Sequence, residues 1–154
     1  MITYEKLLQE ADGGGIEVKE IAFISDIKGL YCDNHIRINN KIETDIEKSC
    51  ILAEELGHYY TSTGDILKQN DVRNRKQELR ARAWGYDKKI GLIGIVQAFE
   101  NHCQNRFEMA EFLGVTEEFL QEAIDYYKCK HGKYANIDNY IIFFIPYLQI
   151  IKRL

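Results

Sequence analysis

The chain has 154 residues, 45% of them hydrophobic, with one proline and a formal charge of −4. That is enough apolar content for a globular core and too acidic a balance for a general nucleic-acid surface. Its four cysteines, Cys32, Cys50, Cys103 and Cys129, form no C-x-x-C pair, so their spacing suggests neither a zinc ribbon nor a disulfide framework and they read as reduced thiols. "MITYEKLLQE" lacks the basic and apolar regions of a secretory signal, and the apolar run "YIIFFIPYLQII" at 140–151 is far short of the ~20 residues of a membrane helix. The expectation is a cytoplasmic protein with no membrane contact.

Tyr4, Leu7, Leu8 and Ala11 recur at helical spacing, so residues 3–11 read as an amphipathic helix that Gly13-Gly14-Gly15 end. From Ile16 the pattern becomes β-branched and alternating. Asp33-Asn34 offers turn chemistry between "KGLYCD" and "IRIN", which predicts a small sheet with a hairpin near 28–39. Thr44 and Asp45 are helix N-cap types, and Ile51, Leu52, Leu56 and Tyr59 place a largely buried helix over 45–61.

A polar loop through Gly64 and Asp65 leads to a charged helix at 71–89, whose Glu78, Ala81, Arg82 and Gly85 share one side; the small residues there allow close approach to a neighbour. A helix at 92–102 precedes "NRFEMAEFLGVTEEFLQEAIDYY", which reads as a helix-turn-helix with a Leu113-Gly114-Val115 turn and a Thr116 cap. Residues 104–128 carry two basic side chains, Arg106 and Lys128, against six acidic ones, Glu108, Glu111, Glu117, Glu118, Glu122 and Asp125, so this segment suits packing or protein contact rather than DNA phosphates. The C-terminal run predicts a strand pair, with Pro146 at a strand end or edge. No repeat or linker interrupts the chain, and the expected fold is a single α+β domain over 1–154: mostly helical, with a small N-terminal sheet beside a zincin-like motif helix, and a helix-turn-helix-like segment followed by terminal strands.

The chemistry concentrates in Glu54-Glu55-Leu56-Gly57-His58, one residue away from the H-E-x-x-H of zinc proteases. Residues four apart share a helix face, so Glu54 and His58 can direct ligand atoms at one ion while Glu55 flanks them. Glu78 is the expected third ligand, with Asp65 and His35 in reserve. Glu55 would act as general base, and Tyr59 or Tyr60 as donor to a developing oxyanion in peptide hydrolysis. Glutamate at 54 gives the ligand set two negative charges instead of one, which makes the ion a poorer Lewis acid and favours harder ions, so manganese stands beside zinc as the expected metal. On the residues alone an ordinary helix also fits, with Glu54 and Glu55 as a solvated face and His58 a half-buried, hydrogen-bonded side chain.

"GLYCDNHIRIN", "EKSCILAEELGHYYTSTGDI", "NRKQELRARAWGY" and "FEMAEFLGVTEEFLQEAIDYY" together resemble, over nearly the whole chain, the ImmA/IrrE metallopeptidases in the short form encoded by prophages and integrative elements. The resemblance implies a zinc-dependent endopeptidase that cleaves or inactivates a helix-turn-helix repressor of the mobile element. His58 matches the second histidine ligand, Glu55 the catalytic glutamate and Glu78 the downstream acidic ligand, while Glu54 stands where the first histidine belongs. The alternative is a catalytically weak relative that binds and sequesters a regulator. For a protease, the strand Ile36, Arg37, Ile38, Asn39 is the expected edge on which an extended substrate docks.

Overall fold

Thr3 opens the first helix by accepting a hydrogen bond from the Lys6 backbone N–H at 3.2 Å, and α1 runs Tyr4–Gly13. Gly15, at φ 77°, then turns the chain into the strands β1 (Glu17–Ile21), β2 (Gly29–Cys32) and β3 (His35–Asn39). The structure, a computed structural model, describes residues 1–62 and 71–154, and the side chains of the second stretch from Asn74 onward. It is α+β: α2 (Asp45–Thr61), α3 (Asp71–Lys89), α4 (Gly91–Glu100), α5 (Arg106–Leu113) and α6 (Glu117–His131) follow, and then β4 (Tyr134–Ile137), β5 (Tyr140–Phe143) and β6 (Gln149–Lys152). The chain divides into two compact units, Ile2–Lys88 and Lys89–Leu154, the latter taking in Met1. No helix of the described residues is long and apolar enough to cross a membrane.

In the N-terminal unit the expected hairpin forms across Asp33-Asn34, with Cys32 opposite His35 and Asp33 at φ 52°. β1 joins the other side of β3 in parallel, giving the order β1-β3-β2. Ile36 and Ile38 project from β3 into a core with Leu7, Ala11, Ile16, Leu52, Ala53 and Leu56. Burying each of these larger side chains contributes roughly 1.5–3 kcal/mol relative to leaving it exposed.

Thr44 caps α2, accepting from the Glu47 N–H at 3.2 Å. The small residues anticipated on α3 meet small residues on α2. A Cβ added at Gly57 would stand 2.1 Å from the Ala81 carbonyl oxygen, and one at Gly85 would stand 3.3 Å from the Ala53 carbonyl carbon. The two backbones therefore approach more closely than side chains at these positions permit.

In the C-terminal unit, Asn105 caps α5, Gly114 takes the left-handed conformation at φ 67°, and the Thr116 hydroxyl accepts from the Phe119 N–H at 3.0 Å, so the helix-turn-helix-like segment forms as expected. The expected C-terminal strand pair is instead three strands. β4 pairs antiparallel with β5 across an Asp138-Asn139 turn with Asp138 at φ 51°, and β5 pairs with β6. Pro146 lies in the connection between β5 and β6, clear of the ladder it has no N–H to join.

Gly57→Ala forces α2 and α3 apart and is expected to destabilise the chain by about 1–3 kcal/mol in urea unfolding. Gly13→Ala, where an added methyl meets nothing within 4 Å, serves as control. Equal midpoints for the two variants would show that the helix contact yields without cost.

Candidate metal centre

Glu54 and His58, one turn apart on α2, leave the same face, and Glu78 meets them from α3. One ligand atom from each of the three lies within 4.8 Å of the others. Donors around a single tetrahedral ion stand roughly 3–4 Å apart, so small rotations of half-buried side chains bring this set to bonding distance. Two carboxylates and an imidazole suit zinc, and the carboxylate share also suits manganese. His58 Nε2 is 3.3 Å from Glu78 Oε2, and Arg82, one turn beyond Glu78, places Nε 3.4 Å from Glu54 Oε1 and 3.4 Å from Glu78 Oε1.

The group borders a cavity of about 350 Å³ whose opposite wall is β2, through Gly29, Leu30 and Tyr31. The Tyr31 ring lies parallel to the His58 imidazole, 7° between planes and 6.5 Å between centroids. A Cβ at Gly29 would meet Ile51 Cγ2 at 2.7 Å and Glu55 Oε1 at 3.0 Å, so glycine there lets the strand pass directly over the Glu55 carboxylate. A larger cavity, about 650 Å³, lies in the C-terminal unit between α5, α6 and the β5–β6 connection. Among the described residues it gathers no group of side chains placed to ligate one ion.

The four titratable groups are held in different states. The contact with His58 holds the Glu78 carboxyl down at about 2, and the same contact raises His58. Burial raises Glu54, with the Glu78 carboxylate beside it adding to the effect. Burial also lifts Glu55 from the usual 4.5 to about 7, the value at which a carboxylate accepts and returns a proton near neutral pH.

The structure thus brings together Glu54, Glu55, His58 and Glu78. Tyr59 and Tyr60 turn away from the cavity: Tyr59 packs edge-on against Tyr31, and Tyr60, 51% exposed, stacks on Trp84. One and two residues past His58 they are rotated by about 100° and 200° from its face, so the ring beside the site is Tyr31. His35 instead sits 2.7 Å from Glu17, and Asp65 lies outside the described residues. The expected docking strand, Ile36 to Asn39, is the centre of its sheet, hydrogen-bonded to β1 and β2, and has no free edge. Among the described residues the free edge beside the site is β2. Sequence reading missed Gly29, Tyr31 and Arg82; a glycine inside a strand pattern and a Glu-Arg pair four apart were the available signals.

No family model, no curated protein and no solved structure matches the chain.

Because the folded Glu55 binds its proton more tightly than the unfolded chain does, metal-free protein loses stability as pH rises from about 4.5 through about 7. Glu55→Gln removes that loss. In chelator, the variant is expected to be more stable than wild type by roughly 1–3 kcal/mol at pH 8, with the gain vanishing near pH 4. A gain that does not change with pH in urea melts would show that Glu55 is not desolvated.

Proposed function

We propose that the chain is a metal-dependent endopeptidase of the ImmA/IrrE type, acting in the cytoplasm on a helix-turn-helix repressor of a prophage or other mobile element. The observation that carries this reading is the convergence of Glu54, His58 and Glu78 within 4.8 Å, with Glu55 adjacent and a free strand edge across the cavity. A zinc or manganese ion held by the three ligands would supply Lewis acidity toward a peptide carbonyl and an acidified water. Glu55 takes a proton and returns it to the leaving amine, and its carboxyl near 7 suits both directions. Tyr31, its ring parallel to the His58 imidazole, lines the same cavity from β2.

β2 can take an extended substrate. Asn39 N–H donates to Lys28 O at 2.9 Å, so in the antiparallel ladder Lys28 and Leu30 turn their backbone groups toward β3 while Gly29 and Tyr31 turn theirs toward the open edge. Binding by strand addition therefore reads alternate residues of the peptide backbone. The repressor as substrate rests on the sequence resemblance and on the excess of acidic residues in 104–128, which complements the basic DNA-contacting face of a helix-turn-helix protein.

One observation favours the sequestering alternative: Arg82 already pairs with both ligand carboxylates, so part of the cluster's charge is compensated without an ion. Protein purified without chelator is expected to carry about one equivalent of zinc or manganese, lost in His58→Ala and Glu78→Ala. Glu55→Gln should keep the metal while losing at least about a hundredfold in cleavage of the repressor encoded beside it. Metal-free protein that still binds repressor, with Glu55→Gln indistinguishable from wild type, would establish sequestration.

Substrate peptides N-methylated one residue at a time are expected to lose cleavage with a period of two, at the residues that donate to Gly29 and Tyr31. Uniform tolerance would remove β2 as the docking edge.

A further inference from the structure

Arg82 stands where a metal site would ordinarily avoid a cation. Its Nε reaches one oxygen of each ligand carboxylate, Oε1 of Glu54 and Oε1 of Glu78, both at 3.4 Å, while the other oxygen of Glu78 faces His58 at 3.3 Å. The guanidinium holds the carboxylates from outside and leaves the imidazole side open. Two carboxylates and a neutral imidazole sum to −2, and Arg82 brings the cluster to −1, the charge of a set with two imidazoles and one carboxylate. The second carboxylate of the ligand set, Glu54, is thus offset in charge by an arginine on the neighbouring helix.

We propose that Arg82 is the built-in counter-cation of this site: it keeps the ligands assembled when no ion is bound and lowers their affinity for one, so that occupancy follows the supply of metal. This rests on the reading of Glu54, His58 and Glu78 as metal ligands. The sign follows from electrostatics. A guanidinium does not deprotonate in a protein, and a divalent ion bound by the same carboxylates sits within roughly 6 Å of it, so repulsion opposes uptake at every working pH. In the metal-free chain the same charge relieves repulsion between Glu54 and Glu78, which the close helix packing holds near each other. Uptake then adds an ion to a cluster that Arg82 already partly neutralises.

The test is zinc affinity, measured by competition with a chromophoric chelator, alongside thermal melts in excess chelator. Wild type, Arg82→Lys, Arg82→Gln, Glu54→His and the double variant Glu54→His with Arg82→Gln are compared. Arg82→Gln is expected to bind zinc about tenfold or more tighter at low salt, with the gain shrinking as salt rises, and to melt lower than wild type when metal-free. Arg82→Lys, which keeps the charge, should stay near wild type. Glu54→His alone brings the site, Arg82 included, to zero net charge and should bind more weakly than wild type despite its better zinc ligand, and adding Arg82→Gln should recover affinity. Equal or weaker binding by Arg82→Gln overturns the proposal and leaves Arg82 an orienting contact. A wild type that takes up no zinc, and does not differ from His58→Ala, overturns the metal site itself and this inference with it.

Discussion

Everything at the candidate site depends on how closely α2 and α3 approach. Gly57 lies between Glu54 and His58, and its missing side chain is what allows the Ala81 carbonyl against the α2 backbone; Gly85 against Ala53 repeats the arrangement one turn along. At this separation the Glu78 carboxylate on α3 stands 3.3 Å from the His58 imidazole on α2. With larger side chains at the contact the helices would stand farther apart, at roughly the usual 8–10 Å, and this contact would lengthen or be remade with other rotamers. The glycine inside the motif is therefore as much a part of the site as the residues on either side of it.

That packing also creates an electrostatic problem, which the neighbours resolve unequally. Three carboxylates, Glu54, Glu55 and Glu78, are drawn within reach of one imidazole, and two of them, Glu54 and Glu78, within reach of one guanidinium. Glu78 takes the contact with His58 and stays ionised, and Glu54 is shared with Arg82. Glu55 has no ion pair among the described residues and responds by holding its proton to higher pH. Separation of otherwise similar acids by environment is how a single fold obtains a ligand and a base from the same residue type. It also means that Glu55 is the carboxyl whose ionisation costs the metal-free chain stability as pH rises through about 7.

The legible parts of the sequence were those set by local rules. Thr44 and Thr116 are caps, Gly114 is a left-handed helix end, and Asp33-Asn34 is a turn, because each acts within a few residues of itself. Asp138-Asn139 carried the same turn signal, but the strand before it, "YANI", is too short and too polar on one face to stand out. The misplaced docking edge has a different cause. Alternation in "HIRIN" reports that Ile36 and Ile38 share a buried face, and it is silent on how many strands lie beside them. The parallel partner β1 comes from eighteen residues upstream, Glu17 opposite His35, and only the assembled sheet shows it. Tyr31 escaped for the same reason, and so did half of the part Arg82 plays: they meet His58 and Glu54, 27 and 28 positions away, whereas the Arg82 pair with Glu78, four residues off, was within reach of local reading.

Moving the open edge from β3 to β2 changes what the site can be. A central strand is committed to its sheet, whereas β2 is four residues long, carries the half-exposed Leu30 on one face and packs Gly29 and Tyr31 against α2 on the other. Short edge strands resist the sheet-to-sheet aggregation that long flat ones invite. Two outward-facing residues offer at most a few backbone hydrogen bonds, which hold a peptide in register without binding it tightly. The affinity for any protein substrate must then come from elsewhere on its surface, and strand addition beside Glu55 would serve to position a bond rather than to recruit the molecule that contains it.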